Sequence, residues 1–250
     1  MSRSLSSLRL AFVAGAISLT VLAGCTPTPS PAPSASPSSA PEASSSAEPE
    51  APSRPALADL VLSSEGLGPM LFGVTPETDP ALRIVQFDPI ACTDAVTGFE
   101  MGIVAGDEFA GGWFVDPFYE LPPTPETNGQ PFGISVDEAA GNVLQRVDLY
   151  TGDIPTDGGV RIGDDRADVL AGHPSAALVS GGLTDVYVVT GTKGILQIEV
   201  ATRATPENDA YWGSSGIPDG QVLYIHAVKT SLGVFSVAGS GNIAGGCNFG

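Results

Sequence analysis

Residues 26–55 limit the possible fold more than any other part of the sequence, because proline, serine and alanine predominate there without interruption. Proline fixes φ and lacks a backbone donor, so this run is unsuited to a helix or a sheet and has little apolar surface to bury. As a tether, thirty residues would reach from about 30 Å in a flexible coil to about 90 Å in polyproline II. About 195 residues of the 250 then remain to fold, which is enough for one large domain or two small ones.

The residues before this run have the parts of an export signal. Arg3 and Arg9 give a positive start, and the uncharged, largely apolar stretch 10–22 follows. About 13 residues are too few to span a bilayer, which needs about 20, so the stretch is typical of a cleaved signal peptide. One interpretation is an ordinary secretory signal that merely ends near a cysteine.

The signal ends in Leu22-Ala23-Gly24-Cys25, which resembles the lipobox of bacterial lipoproteins. The resemblance implies that residues 1–24 are removed, that the Cys25 thiol receives a diacylglycerol, and that residues 25–55 form the lipidated cysteine and its tether. One acyl chain binds a membrane only marginally, whereas two or more hold stably. The expected location is the outer face of the cell membrane, with the lipid as anchor.

The net charge of −18 excludes some partners. Few basic residues follow position 55, and they are Arg83, Arg146, Arg161, Arg166, Lys193, Arg203 and Lys229. Such a chain repels nucleic-acid phosphates and anionic lipid headgroups, so we expect no nucleic-acid partner and no membrane contact except through the lipid. The charge otherwise indicates solubility, or an acid-lined site for a cation.

Three cysteines occur, and lipidation accounts for Cys25. The remaining two, Cys92 and Cys247, belong to the exported part, where leftover cysteines usually pair. We therefore predict a disulfide between them.

Two segments, 68–76 and 158–166, share a layout of a short apolar strand, a glycine and a helix-starting residue. In the first, Thr75 or Asp79 would cap a helix that begins with proline; in the second, Asp164 or Asp165 would cap a helix over 167–171. The strands predicted after them are 99–104, 112–115, 132–136, 143–150, 186–190, 194–201 and 222–228, with 233–238 as a further edge strand. The prediction is a strand-dominated α+β fold of two similar helix-plus-antiparallel-sheet halves, residues 56–152 and 153–250.

Residues 159–170 read Gly-Val-Arg-Ile-Gly-Asp-Asp-Arg-Ala-Asp-Val-Leu and precede a hairpin and a late strand. This arrangement resembles a unit of uncharacterised exported lipoproteins from high-GC Gram-positive bacteria. More distantly it resembles the helix-plus-sheet repeats of β-lactamase inhibitor proteins and of small outer-membrane assembly lipoproteins. The resemblance covers residues 60–250, is clearest at 158–200, and implies a non-enzymatic domain that binds a macromolecule on an exposed sheet. The first half departs from it through extra prolines and a long loop at 121–130.

Catalytic motifs are missing from the exported part. A serine hydrolase needs a nucleophile elbow and a histidine base, but Gly213-Ser214-Ser215-Gly216 does not have the elbow spacing. The two histidines, His173 and His226, fall at a predicted helix end and on a strand face, which indicates structural roles. No histidine or cysteine pair has zinc-ligand spacing, and we expect no cofactor and no metal.

Five aspartates lie within sixteen residues: Asp153, Asp157, Asp164, Asp165 and Asp168. Helix capping explains aspartates at a helix start, whereas an oxygen-rich loop could also hold calcium outside cells. The EF-hand order is absent, which favours capping and turns.

Aromatic residues concentrate in two places. The cluster at 109–119 falls on a predicted strand and predicts core packing, with a binding face as the alternative. Tyr211 and Trp212 fall in a predicted loop, which favours exposure and a role as partner-binding anchors.

The functional prediction is a lipid-anchored binding or assembly module for a protein or cell-surface component. One alternative is an extracytoplasmic hydrolase that uses two carboxylates. Another is a solute-binding lipoprotein, although that class usually has two βαβ lobes and more helix than this sequence predicts.

Overall fold

The computed structural model of the protein describes residues 53–124 and 129–247. The predicted signal peptide, Cys25 and most of the predicted tether lie outside the described residues. Arg54, at the end of the predicted tether, already contacts the folded part, since its guanidinium lies 2.8 Å from the Asp116 carboxylate.

The described residues contain short helices and mostly longer strands. The strands are β1 (Leu62–Ser63), β2 (Gly66–Leu67), β3 (Met70–Leu71), β4 (Val85–Asp88), β5 (Gly112–Val115), β6 (Phe132–Asp137), β7 (Val143–Leu149), β8 (Ala177–Ser180), β9 (Thr184–Thr190), β10 (Gly194–Ala201) and β11 (Val222–Lys229). The α-helices are α1 (Asp94–Thr97), α2 (Arg166–Gly172), α3 (Pro206–Ser214) and α4 (Val237–Ser240). Single 3-10 turns occur at Leu57–Asp59, Pro117–Tyr119 and Thr230–Leu232.

The described strands form three sheets, and every pairing within them is antiparallel. The largest has six strands in the order β6-β7-β11-β10-β9-β8, and the smaller ones are β1-β2-β3 and β4-β5. The fold is therefore a strand-dominated α+β fold with antiparallel sheets, as the sequence predicts.

Apolar side chains at alternate positions place the main core on one face of the six-stranded sheet. Ile198 lies opposite Ile225 across β10 and β11, and Ile225 lies opposite Leu149 across β11 and β7. These side chains join one buried cluster with Leu62 of β1 and Val169 of α2. Burying each such side chain contributes about 1.5–3 kcal/mol, so this layer fixes the register of the strands.

Helix α2 begins at the predicted cap. The Asp165 carboxylate accepts hydrogen bonds from the N–H groups of Ala167 and Asp168, and the Asp168 carboxylate accepts one from the Asp165 N–H. This reciprocal capping box satisfies donors that the first helical turn leaves open. The C-terminal end is also tied, because a His173 ring nitrogen lies 2.8 Å from the Thr156 hydroxyl.

The predicted helix after Thr75 or Asp79 is absent, so that prediction is wrong. Val74 instead lies beside β7, where the Leu144 N–H donates a hydrogen bond to the Val74 carbonyl. The Glu77 carboxylate accepts from the N–H groups of Thr78 and Asp79, which gives this segment local hydrogen bonds in place of helical ones.

Two predicted strands are also wrong. Residues 99–104 have no strand partner. Gly98, just before them, and Gly102, among them, have φ of 73° and 82°, the left-handed region that interrupts a strand. Residues 233–238 lead into α4, where the Ser236 side chain accepts from the Gly239 N–H and caps the helix.

The predicted repeat of two halves is not confirmed. Strands β6 and β7 come from residues 56–152 and β8–β11 from residues 153–250, yet all six share one sheet. The second half has its predicted helix and the first does not.

Candidate functional site

A disulfide connects two distant parts of the chain, and it is the predicted one. The sulfurs of Cys92 and Cys247 are bonded, and their Cα atoms lie 5.2 Å apart. Cys92 belongs to the connection between β4 and β5, residues 89–111, which we call the β4–β5 excursion. Cys247 ends residues 230–247, which we call the C-terminal segment. The bond therefore ties the excursion to the C-terminal segment.

The β4–β5 excursion is closed on itself by backbone and carboxylate hydrogen bonds. The Cys92 N–H donates to the Ala110 carbonyl, and the Asp94 carboxylate accepts from the N–H groups of Gly102 and Ile103. Partial desolvation of the Asp94 carboxyl opposes ionisation, but these backbone donors outweigh it and lower the pKa of Asp94. The loop is thus held in a defined shape by its own residues.

Large apolar side chains are exposed on and beside the excursion. Of the seventeen that are exposed among the described residues, eight fall within positions 87–118, which shows that exposure is concentrated there. They are Phe87, Ile90, Val96, Phe99, Met101, Val104, Phe109 and Phe118. We call these eight side chains the apolar surface. Scattered apolar residues are ordinary on a protein surface, whereas contiguous apolar patches mark interaction sites. Six of the eight side chains lie on the one excursion, which makes it the candidate for such a site.

The charged residues within the segment that carries most of the apolar surface are all acidic, while Arg54, from outside this segment, lies over the Phe118 ring at 4.8 Å from its centroid. Between residues 88 and 116 the sequence contains Asp88, Asp94, Glu100, Asp107, Glu108 and Asp116, and it contains no lysine, arginine or histidine. A partner that binds this surface would therefore contact exposed apolar side chains that have acidic residues near them.

The pair predicted to anchor a partner, Tyr211 and Trp212, lies on helix α3 rather than in a loop. Trp212 is 4% exposed, and its Nε1 donates to the Leu183 carbonyl at 2.7 Å, so the expectation that it is exposed is wrong. Tyr211 is 51% exposed and contacts the Trp212 ring edge to face. Thr205 caps this helix and Pro206 begins it, which is a helix-start signal in the sequence. The segment was still predicted as a loop because most of its residues are polar.

Because Trp212 is buried and Tyr211 is exposed, truncating each side chain should change the stability of the fold by a different amount. Trp212→Ala should lower the free energy of unfolding by about 3 kcal/mol, because it empties a buried aromatic site and removes the hydrogen bond from Nε1 to the Leu183 carbonyl. Tyr211→Ala, the matched control on the same helix, should change it by about 0.5 kcal/mol or less. Urea denaturation measures both values, and equal effects of the two changes would contradict this assignment.

The second face of the six-stranded sheet carries polar side chains that are buried. Arg146, Asp148, Gln197, Glu199 and His226 lie on it, and we call them the buried polar face. Strand pairing puts Asp148 opposite His226 and His226 opposite Gln197, so these three form one row across β7, β11 and β10. The sequence signal was present in Arg-x-Asp of β7 and Gln-x-Glu of β10, polar residues at alternate positions of otherwise apolar strands.

Glu199 holds the C-terminal segment onto this face. Its side chain is 0% exposed and accepts from the hydroxyls of Thr184 and Ser236, both at 2.7 Å, and from the N–H groups of Val237 and Ala238. A buried carboxylate needs such donors to offset its desolvation. Glu199 therefore binds the start of α4 from 38 residues away in sequence.

Arg146 and Asp148 hold the segment at a second place. Two guanidinium nitrogens of Arg146 donate to the two Asp148 carboxylate oxygens at 2.7 and 2.6 Å. Arg146 also donates to the Asn242 carbonyl, and the Ala244 N–H donates to Asp148. Burial raises the pKa of the Asp148 carboxyl, although Arg146 and Ala244 act in the opposite direction.

His226 differs from its neighbours on this face. It is 0% exposed, and neither ring nitrogen has a hydrogen-bond partner; the nearest carboxylate, that of Glu199, lies 3.9 Å from Nδ1. Its ring stacks on Phe235, with centroids 4.8 Å apart. Burial, together with the positive charge of Arg146, lowers the pKa of His226 to about 3, so the imidazole is neutral at physiological pH.

No protein-family model, curated protein or solved structure matches this chain. The resemblance to exported lipoproteins therefore stays a prediction. Within residues 53–124 and 129–247, no helix combines the length and apolar character needed to cross a membrane. In the same ranges, no three His, Cys, Asp or Glu side chains are grouped so as to hold a metal ion.

Four of the five aspartates considered for calcium make local side-chain contacts. Asp165 caps α2, and the Asp164 carboxylate accepts from the Arg161 N–H at 2.7 Å within a turn. Asp157 lies 3.9 Å from a ring nitrogen of His173. The contacts of Asp165 and Asp164 are those that capping and turn formation require.

Proposed function

We propose that this protein is a lipid-anchored extracytoplasmic binding module that docks a protein partner on the apolar surface. The observation that carries the proposal is the concentration of eight exposed large apolar side chains within positions 87–118. The disulfide and the Asp94 contacts support it, because a loop fixed before binding loses less entropy when a partner docks.

The acidic frame favours a protein over a lipid bilayer as the occupant. Anionic headgroups would be repelled by Asp88, Glu100, Asp107 and Glu108, whereas a protein with an apolar centre and basic rim complements both features. Such a complex should form more slowly as salt is added, because the attraction between rim charges is screened.

The carboxylates of the buried polar face do not fit the hydrolase alternative. A hydrolase with two carboxylates needs them open to substrate and water, but Asp148 and Glu199 are buried and already accept hydrogen bonds. We therefore place the hydrolase alternative second. A solute-binding lipoprotein is also placed behind, since α2 and α3 are the longest described helices and have only seven and nine residues.

The anchor in this proposal is Cys25, after removal of residues 1–24, with residues 26–55 as the tether. Cys25→Ala should abolish fatty-acid labelling and leave the protein unprocessed or released from the membrane fraction.

The proposal also retains a two-part organisation, residues 56–152 and 153–250, since each part contributes a hairpin, β6-β7 or β9-β10, to the large sheet.

Partner capture by the full-length lipidated protein tests the docking surface. Cells producing the protein are treated with a reversible crosslinker, and the proteins bound to it are quantified by mass spectrometry. The variant Phe99→Ser/Val104→Ser/Phe109→Ser should lose at least about tenfold of one specific partner, because burying such side chains supplies much of the binding energy. Its Tm should stay within a few degrees of the parent, since all three side chains are exposed.

A matched control replaces three apolar side chains that are exposed elsewhere, as Leu170→Ser/Leu178→Ser/Leu232→Ser. This control should retain the partner. If the control loses it equally, or if the excursion variant keeps it, the apolar surface is not the docking site.

A further inference from the structure

A cavity of about 170 Å³ lies between the buried polar face and the C-terminal segment. Its wall includes His226, Asp148 and Tyr150, together with the apolar side chains of Ile162, Val237 and Ile243. Helix α4 and the residues after it thus form one side of the cavity, and the sheet forms the other.

Of the buried polar side-chain atoms on this wall, only the two ring nitrogens of His226 lack a partner, and the partly exposed Tyr224 side chain also lines the cavity. Both Asp148 oxygens accept hydrogen bonds from Arg146, and the Tyr150 hydroxyl donates to the Ala244 carbonyl. Three buried side-chain nitrogens or oxygens among the described residues lack a partner, and two of them are the ring nitrogens of His226. Native proteins leave few such groups, and each one calls for an explanation.

The neutral imidazole of His226 offers one donor and one acceptor in the plane of its ring. Phe235 covers one ring face at 4.8 Å, so polar contacts to His226 must come from its edge. An anion at that edge would face Asp148 and Glu199, and a cation would face the Arg146 guanidinium. An uncharged group that both accepts and donates, such as a hydroxyl, matches His226.

We propose that this cavity binds a small uncharged molecule with an apolar ring or short chain and a hydroxyl group that hydrogen-bonds to His226. The size agrees, because an apolar protein cavity of about 150 Å³ accepts one benzene ring. The apolar wall from Ile162, Val237 and Ile243 would contact the body of the ligand. This site is separate from the apolar surface and does not depend on the proposed function.

Phenol is the probe, and the full-length protein is titrated by calorimetry and by NMR of the His226 ring. We expect saturable phenol binding that shifts the His226 signals, and benzene binding at least about tenfold weaker because it lacks the hydroxyl. In His226→Phe, phenol and benzene should bind with equal affinity.

Ile243→Trp provides a second variant that leaves the sheet unchanged. Ile243 is exposed enough to accept a larger side chain, and the indole would fill the cavity from the C-terminal segment. Phenol affinity should fall at least about tenfold while Tm changes little. Absence of saturable phenol binding, equal affinities of phenol and benzene for the parent, or full affinity in Ile243→Trp would each overturn the proposal. The Ile243→Trp result decides the matter if His226→Phe does not fold.

Discussion

Replacing Cys92 and Cys247 with alanine is expected to lower the free energy of unfolding by about 5 kcal/mol. The bond spans 155 residues of sequence, and the chain entropy that so long a loop removes from the unfolded state gives this magnitude. Part of the loss would also come from release of the C-terminal segment, whose contacts with Glu199 and Asp148 depend on its position. Guanidinium denaturation of the oxidised protein and the double variant measures the difference.

The single variants Cys92→Ala and Cys247→Ala are the internal control. Each one alone breaks the bond, so the double variant should be about as unstable as either single variant rather than showing the sum of two losses. Additive losses, or two alkylatable thiols in the native oxidised protein, would show that the cysteines do not pair.

A loss of stability between pH 7 and pH 3.5 is the second large effect expected, and its origin is His226. The unfolded chain binds a proton at this residue near pH 6.5, whereas the folded protein does so only near pH 3. Below pH 6.5 the unfolded state therefore binds more protons, and stability falls as the pH falls. The contribution should be about 2 kcal/mol between pH 7 and pH 5 and about 4 kcal/mol by pH 3.5.

The comparison with His226→Phe isolates this effect from other titrating groups. Asp116 contributes in the same direction at lower pH, because Arg83, Arg54 and the Phe118 N–H outweigh its desolvation and lower its pKa. Asp148, whose pKa burial raises, acts in the opposite direction. Both carboxylates are retained in the variant, so the difference between the two stability curves is assigned to His226. Curves that run parallel from pH 7 to pH 3.5 would contradict the burial of a neutral imidazole.

Local patterns predicted the parts of the fold that depend on neighbouring residues. Short runs rich in apolar and aromatic residues gave the bounds of β10 (Gly194–Ala201) and β5 (Gly112–Val115), and Asp165 was among the predicted caps of α2. The cysteine pair followed from count and compartment. These features are set by the chain within a few residues, or by chemistry that permits few alternatives.

The missed features depend on contacts between distant residues. Residues 233–238 have the composition of a strand, but the Glu199 carboxylate binds the N–H groups of Val237 and Ala238 and draws them into a helix start. Trp212 is buried because Leu183 accepts its N–H, and residues 99–104 stay exposed because no strand lies beside them. The missing partners of His226 likewise follow only from the complete packing of the sheet and the C-terminal segment.

Site-specific photo-crosslinking in intact cells tests most directly whether the apolar surface docks a protein. A photoreactive amino acid is placed at Phe99 in one full-length protein and at Leu170 in another; both positions are exposed, and only the first lies on the apolar surface. We predict a discrete protein adduct from position 99 that is absent from position 170. The absence of any discrete adduct at position 99, or the same adducts from both positions, would contradict a docking role for this surface.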